Sequence, residues 1–260
     1  MSAVRPMEST VVRMIGGSTV ILEIGGLRLI TDPTFDPPAA SPDGMPHRLT
    51  PPALEVSDLG RLDVALVSHD QHPDNLDRSG RALLVELPLV LTTPAGAQRL
   101  SGSAKGLAPY ERISIPSRVG PLTITAVPAQ HGPVGAEAQS GPVTGFLLAG
   151  DALPTVYVSG DNASLDVVRD IAEQFGPVDL ALLFCGSAQV PELLGGQPLT
   201  LTSEETVQAA GILGARAVVP VHCDGWSHYT QDGESVRGAF REAGLPDLVH
   251  VLAPGEAAHL

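Results

Sequence analysis

Short runs of apolar and β-branched residues, broken by pairs of glycines, dominate the start of the chain. Three such runs, residues 10–15, 18–24 and 27–31, are separated by Gly16-Gly17 and Gly25-Gly26. A glycine pair between apolar runs is typical of a β-hairpin turn. The pattern therefore predicts three short strands. A proline-rich stretch over residues 32–52 follows, and we interpret it as a long loop of the kind that often carries function.

Farther along the chain, apolar runs alternate with helical patterns. The apolar runs predict strands over residues 63–68, 89–92, 122–127, 144–148, 155–159, 180–184, 217–221 and 248–252. The helical patterns predict helices over residues 77–85, 94–100, 163–175, 202–213 and 234–243. Thr202 and Glu205 have the spacing of a capping box. About a dozen strands are too many for one plain sheet, so we expect a two-sheet sandwich with helices on its outer faces.

Composition and charge narrow the function classes. Lys plus Arg is 15 and Asp plus Glu is 29, which gives a net charge of −14 and argues against nucleic acid or anionic lipid as a partner. No apolar run is long enough to span a membrane. Cys185 and Cys223 form no CxxC pair, so we expect no disulfide framework and a reducing compartment. With no signal-peptide pattern at the start, the expected location is cytoplasmic.

Histidines and aspartates follow four of the predicted strands. The strand over 63–68 leads into a segment with two of each, and the strands over 122–127, 155–159 and 217–221 each lead into one such residue. The candidates are His69, Asp70, His72, Asp74, His131, Asp161 and His222. Strand ends at one edge of a sheet converge, so these side chains can meet. Imidazole mixed with carboxylate favours zinc, manganese or iron over calcium or magnesium.

The sequence resembles the metallo-β-lactamase superfamily over nearly its whole length. IGGSTVILEIGGLRLITDPTF resembles the first strands and the Asp-Pro turn of an intracellular branch of that superfamily. This branch includes ascorbate-phosphate lactonase-like proteins and N-acyl-phosphatidylethanolamine phospholipase D. ALVSHDQHPDNLD resembles the HxHxDH metal motif, and PAQHGP, YVSGDN and VVPVHCDGW resemble the motifs of the later ligands. The resemblance implies an α+β fold, a four-layer αββα sandwich of two mixed β-sheets, in one domain over residues 1–260.

The first metal motif departs from the family pattern. Aligned from the right, His72, Asp74 and Asn75 take the last three positions of HxHxDH, and the first position falls on Asp70. Aligned from the left, Ser68-His69 matches, with one residue inserted before His72. Either His69 or Asp70 can then be the first ligand, since a one-residue bulge re-aims a side chain. Asn75 replaces a histidine, and its amide is a weaker ligand than imidazole.

The resemblance also implies roles for the matching residues. His69 or Asp70, together with His72 and His131, would hold one metal. The other metal would be held by Asp74, Asp161 and His222, with Asp161 bridging. A metal-bound hydroxide would be the nucleophile, and Asp74 would orient it and act in proton transfer.

Several other residues have weaker assignments. Asp32 would fix a ligand histidine from outside the ligand shell, or would simply cap a turn. His228 and Trp226 would line the substrate pocket or belong to an ordinary packed loop. For His47, in the proline-rich loop, a solvent-exposed position is the simpler interpretation.

These observations together predict a metal-dependent hydrolase that acts on an ester, lactone or phosphoester of a small molecule. Its cofactor would be one or two divalent metal ions, with zinc favoured and manganese or iron as alternatives. The alternative is a fold relative that binds a ligand or partner without hydrolysis. A redox di-iron protein ranks last, because its Glu-containing motif is missing. We expect no nucleic-acid or membrane partner, and the sequence leaves open whether the chain forms a homo-oligomer.

Overall fold

Two β-sheets form the centre of the protein, seen here in a computed structural model that describes residues 10–40, 45–192 and 194–260. Residues 41–44 of the predicted 32–52 loop lie outside the described residues. In chain order the strands are β1 (Val11–Gly16), β2 (Thr19–Ile24), β3 (Leu27–Thr31), β4 (Val64–Leu66), β5 (Val90–Thr92), β6 (Ala104–Gly106), β7 (Arg112–Ser117), β8 (Gly120–Pro128), β9 (Thr144–Gly150), β10 (Leu153–Val158), β11 (Leu180–Phe184), β12 (Ala217–Val221) and β13 (Ala257–His259).

Both sheets are mixed. The first has the order β13-β1-β2-β3-β4-β5-β6, and the second has the order β12-β11-β10-β9-β8-β7. In the first sheet β3, β4, β5 and β6 pair in parallel with one another. The pairs β13–β1, β1–β2 and β2–β3 are antiparallel. In the second sheet β10, β11 and β12 pair in parallel and the remaining pairs are antiparallel. The predicted mixed two-sheet sandwich is confirmed.

The helices described are α1 (Arg78–Leu84), α2 (Pro94–Leu100), α3 (Glu137–Ser140), α4 (Leu165–Phe175), α5 (Ser203–Ile212) and α6 (Gly233–Glu242). Five of these six, all except α3, begin after a side chain that caps them. Asp77 caps α1 through Gly80 N–H. Both halves of the predicted capping box between Thr202 and Glu205 are present at α5, which satisfies backbone N–H groups that have no partner inside the helix. Within the described residues, every helix is too short or too polar to cross a membrane.

Three apolar layers hold the sandwich together. Between the sheets, side chains such as Leu22 and Leu29 of the first sheet share a buried cluster with Phe146 and Phe184 of the second. A second cluster packs α4, α5 and α6 onto the outer face of the second sheet, with Phe240 fully buried in it. A third lies outside the first sheet and includes residues of α1. The four-layer αββα order follows from these three interfaces.

The end of the chain corrects one predicted strand. Residues 248–252 do not form a strand: a 3₁₀-helix covers Pro246–Leu248, and Val249 makes a single parallel bridge to Val218. The last strand is instead β13, which pairs with β1. The short strand β6 and the edge strand β7 were also missed. Pro116 and alternating half-exposed positions weaken the strand signal of β7.

Candidate metal centre

The sequence-predicted ligands follow strands whose carboxyl ends lie together. Within the second sheet β8, β10 and β12 run in the same direction, since two antiparallel pairings connect β8 to β10 and two parallel ones connect β10 to β12. The loop after β4 meets these ends from the first sheet, with the Thr144 N–H donating to Ser68 O at 3.0 Å. These strand ends supply His69, His72, Asp74, His131, Asp161 and His222.

The first cluster brings together three imidazoles and one carboxylate. His72 Nδ1 lies 2.9 Å from His69 Nε2 and 3.2 Å from His131 Nε2. His131 Nε2 is 3.6 Å from an oxygen of Asp161. One ligand atom from each of the four residues lies within 4.8 Å of all the others. Three ring nitrogens and a carboxylate oxygen that converge in this way match the donor set of a transition-metal ion.

Burial keeps the imidazoles of His69 and His131 in the form that binds metal. It lowers the pKa of His69 to about 3, and it also lowers the pKa of His131. Both rings are therefore neutral near physiological pH. A neutral imidazole offers a lone pair to a cation without first releasing a proton.

The second cluster consists of Asp74, Asp161 and His222, all buried. His222 Nε2 is 2.9 Å from Asp74 Oδ2 and 3.5 Å from Asp161 Oδ1. Burial alone would lower the pKa of His222, but the two carboxylates outweigh it and raise the pKa to about 9. At both aspartates, nearby imidazoles outweigh burial and hold the pKa below its ordinary value. For Asp74 they are His228 and His222, and for Asp161 they are chiefly His222 and His131. Asp161 belongs to both clusters, which is the position of a bridging ligand.

Asp32 contacts the first cluster through Ser68, as the fixing role requires. Its Oδ1 accepts from Ser68 N–H at 2.6 Å and its Oδ2 accepts from the Ser68 hydroxyl at 2.8 Å. The same hydroxyl is 3.0 Å from His69 Nδ1. Asn75 donates from its amide nitrogen to Asp161 at 2.9 Å and to Asp32 at 3.3 Å. Through these two hydrogen bonds Asn75 orients both carboxyl groups. Its amide oxygen is buried without a hydrogen-bond partner among the described residues.

His228 lies against the second cluster, and a tyrosine that the sequence reasoning missed lies beside it. His228 Nε2 is 3.0 Å from Asp74 Oδ2. The Tyr229 hydroxyl donates to the same oxygen at 3.3 Å. Its position directly after His228, in the loop that begins at the predicted ligand His222, was the available signal. Asp74 Oδ2 thus has three donors around it.

His69 and Asp70 lie in different surroundings. The Asp70 carboxylate is paired with Arg99, at 2.5 Å between Oδ1 and Nη2, and has Arg81 at 3.6 Å. Burial alone would raise the pKa of Asp70, but Arg99 outweighs burial and holds this pKa below its ordinary value. Asp70 belongs to neither cluster, whereas His69 does. The structure therefore favours His69 as the candidate ligand of this motif, because the Asp70 carboxylate is paired with two guanidinium groups.

Trp226 and His47 lie outside the two clusters. Trp226 is buried with the Arg48 guanidinium 5.1 Å above its ring, so it packs in the loop and does not contact the ligands described here. His47 is partly exposed and its Nδ1 is 3.1 Å from the Ser227 hydroxyl. Both residues follow the simpler of their two sequence interpretations.

Two residues at the centre have strained backbone conformations. Asp32 and His222 adopt positive φ angles of 31° and 57°, a region that non-glycine residues rarely occupy and that is often found at functional sites. Gly186, which follows β11, packs against the backbone of His222. A Cβ atom there would lie 2.2 Å from His222 O, so only glycine lets the two strand ends approach this closely.

A cavity of about 260 Å³ opens onto both clusters. Its polar side is formed by His72, Asp74, His131, Asp161 and His228. Its other side is largely apolar, with Val190 and Leu199 among the lining residues. A small molecule in this cavity would contact both clusters.

Comparisons with known proteins agree with this geometry. A family model described as the β-lactamase superfamily domain matches residues 27–223, which is 197 of the 260 residues. A metal-dependent hydrolase from Methanoregula boonei is 30% identical over 203 residues, 75% of this chain and 81% of that protein. Another from Pyrococcus abyssi is 26% identical over 249 residues, 96% of this chain and 99% of that protein. The structure of an isothiocyanate hydrolase from Delia radicum gut bacteria superposes with a TM-score of 0.81 at 20% identity, over 96% of this chain and 98% of that chain, and supports the fold.

Proposed function

The chain belongs to the metallo-β-lactamase superfamily, and on that premise we propose that it is a metal-dependent hydrolase of an ester, lactone or phosphoester of a small molecule. One observation carries the proposal. Two ligand clusters, one rich in histidine and one rich in carboxylate, share the oxygen atoms of Asp161 and open onto the same cavity. The family match and the names of the relatives support the hydrolase class, and the cavity supports a small substrate.

The donor groups fit divalent cations. His69, His72, His131 and Asp161 would hold one ion. His72 Nδ1 lies within hydrogen-bond distance of the Nε2 atoms of both other rings. The Nδ1 atoms of His69 and His131 contact oxygen atoms, so their Nε2 atoms can offer lone pairs to a shared cation. Zinc suits this imidazole-rich set best, with manganese and iron as alternatives.

The second ion would be held by Asp74, Asp161 and His222. Here His222 carries the positive charge that balances two buried carboxylates, as its raised pKa indicates. A divalent ion would take over that balance and leave His222 neutral. Because this set has only three ligand atoms, we propose that the second ion binds more weakly than the first.

The residues around Asp74 carry out the proton transfer. A bound divalent cation supplies Lewis acidity and lowers the pKa of a water towards ~7. Asp74 would orient the attacking water through its carboxylate, which His222, His228 and Tyr229 hold in place by their contacts with Oδ2. His228, which lines the cavity, and the Tyr229 hydroxyl can donate to the oxygen of the substrate where negative charge develops.

The test combines metal loading with hydrolysis. Purified protein is loaded with zinc, manganese or iron and assayed on a panel of small esters, lactones and phosphoesters. We expect hydrolysis with at least one metal. For Asp74→Asn we expect a loss of about 10²–10⁴-fold in kcat, measured at metal concentrations high enough to fill both sites, because Asp74 is also a ligand of the second ion. Metal-loaded protein that hydrolyses nothing in the panel, or an Asp74→Asn variant of full activity, would contradict the proposal.

A second candidate function is binding without hydrolysis. It is favoured by Asn75, whose amide nitrogen, and not an imidazole, faces the shared carboxylate of Asp161. The two functions differ in one measurement. A purely binding protein would show ligand-induced stabilisation by the intact substrate with no product formed over days, whereas the hydrolase releases product.

A further inference from the structure

The cavity at the metal centre has one apolar wall. Ala188, Val190 and Leu199 form a hydrophobic cluster of their own, separate from the cores of the sandwich, and Leu194 and Tyr229 pack against it. The first three residues line the cavity directly. The wall is fixed to the first cluster, because His131 Nδ1 lies 2.9 Å from Leu199 O. A substrate whose reacting atom lies at the ligands therefore has aliphatic side chains against its adjacent group.

The mouth of the cavity extends this apolar surface. Met45, Pro46 and Pro73 also line it. Met45 is 58% exposed, which makes it one of the few large apolar side chains left open to solvent among the described residues. An apolar substrate group would cover part of the Met45 side chain and of the wall. Each additional buried methylene is worth about a fourfold preference.

Positive side chains are absent from the lining. Among the described residues that line the cavity there is no lysine or arginine. The two arginines beside the ligand segment, Arg81 and Arg99, are turned to Asp70. A substrate with a phosphate group would therefore meet the carboxylates of Asp74 and Asp161 and would depend on the metal ions alone for positive charge.

From the apolar wall and the missing cations we infer that the substrate is an uncharged ester or lactone with a short aliphatic group next to the scissile bond. This inference rests on the proposed hydrolase function and selects among its three substrate classes. The volume of about 260 Å³ limits the aliphatic group to a few carbons. Such a cavity is at the small end of ligand sites, which run from about 300 to 1,000 Å³.

The test measures kcat/KM of the metal-loaded protein on p-nitrophenyl acetate, butyrate and octanoate, and on p-nitrophenyl phosphate and bis(p-nitrophenyl) phosphate. Each value is divided by the uncatalysed rate of the same compound, so that intrinsic reactivity cancels. We expect kcat/KM to rise about fourfold per methylene from acetate to butyrate and to fall for octanoate. We also expect both phosphoesters to show the smaller kcat/KM before this division, because uncatalysed phosphoester hydrolysis is far slower than that of the esters. Hydrolysis of ε-caprolactone, followed by pH-stat, tests whether a cyclic ester is also a substrate.

Charge placed on the wall should shift the selectivity. Val190→Lys is expected to lower the ester-to-phosphoester ratio at least tenfold. Met45→Lys, at an exposed position that tolerates the change, is expected to shift the ratio in the same direction if Val190→Lys does not fold. The matched control is Val85→Lys, because Val85 is 84% exposed and does not line this cavity. Its ratio should equal that of the wild type.

The outcomes separate this inference from the proposed function. A wild type that favours phosphoesters, or a ratio that neither lysine variant changes, would overturn the inference and leave the hydrolase function standing. Metal-loaded protein that hydrolyses none of the compounds would overturn both. A normalised preference for butyrate that is lost in Val190→Lys or Met45→Lys but kept in Val85→Lys would support the inference.

Discussion

The buried carboxyl of Asp32 offers a test of how the first metal site is held. Asp32 contacts no ligand directly, but Ser68 connects it to His69 Nδ1. The substitution Asp32→Asn keeps the shape of the side chain. The positive φ of 31° is also retained, since asparagine tolerates that region as well as aspartate does. What changes is that the amide can no longer carry the negative charge that Asp32 provides.

The size of the effect depends on whether metal is bound. Burial raises the pKa of Asp32 to about 8, so in the metal-free protein near neutral pH the carboxyl is protonated and resembles an amide. We expect the free energy of unfolding of the metal-free protein to change by no more than about 1 kcal/mol, the value of one ordinary hydrogen bond. Loss of a group that orients a metal-binding histidine costs about 10–100-fold in metal affinity.

The assay is a competition titration of zinc against a chelating dye, with thermal unfolding of the metal-free protein measured alongside. Asp36→Asn is the matched control. Asp36 accepts hydrogen bonds from Ser79 at the start of α1, at 3.1 Å from its backbone N–H, and takes no part in the metal clusters. An Asp32→Asn variant with the zinc affinity of the wild type would refute the reasoning and return Asp32 to the simple role of a turn residue.

Three further predictions concern ligands, packing and pH. His72→Ala should abolish metal binding at the first cluster, measured as metal per chain, because His72 Nδ1 lies between two other ligand nitrogens. Gly80→Ala should destabilise the fold by several kcal/mol in denaturant unfolding, because a Cβ at Gly80 would lie 1.8 Å from a backbone carbonyl oxygen; overpacking typically costs about 1–3 kcal/mol and this contact is more severe. Metal-free protein should lose stability as pH rises from 6.5 towards about 9 in thermal unfolding. The folded-state pKa values of His222 and Asp32 are raised to about 9 and about 8, so the folded state holds more protons than the unfolded state in that window.

Each of these three predictions has a control. His259→Ala should leave metal content unchanged, since His259 lies on β13, outside both clusters; equal metal content in the wild type and the His72 variant would rule out the site assignment. Gly211→Ala in α5 meets no atom within 4 Å and should stabilise the protein by up to about 1 kcal/mol. A Gly80 variant of wild-type stability would contradict the packing argument. For the pH prediction, a metal-free protein whose stability rises over the same window would show that neither group is perturbed as described.

The fold could be predicted wherever the local signal was strong. The paired glycines after β1 and β2, the Thr202–Glu205 capping box and the apolar runs of β11 and β12 each specify a local conformation that tertiary packing reinforces. The last strand was misplaced because residues 248–252 are apolar and pass beside β12, yet only Val249 bridges to it. Whether such a segment joins a sheet depends on its distant neighbours and not on its own pattern.

The same limit applies to the metal centre. The sequence identified the strand ends that carry the candidate ligands, because strands that run in the same direction bring their carboxyl ends to one edge of a sheet. It could not choose between His69 and Asp70, since that choice depends on Arg99, which lies in α2 and reaches the Asp70 carboxylate only in the folded chain. Tyr229 was missed for a related reason. A tyrosine in a loop has no distinctive spacing, and its contact with Asp74 depends on the path of the chain after β12.

The central claim is that the two clusters are a metal centre, and metal content tests it most directly. The protein is stripped with a chelator, reloaded with zinc, desalted, and analysed by plasma mass spectrometry, with thermal unfolding measured before and after loading. We expect between one and two zinc ions per chain. A ligand present at a hundred times its Kd adds about 2.7 kcal/mol, so we also expect a rise in Tm of about 5–10 °C. Less than about a tenth of an ion per chain, with no rise in Tm on adding zinc, manganese or iron, would contradict the account.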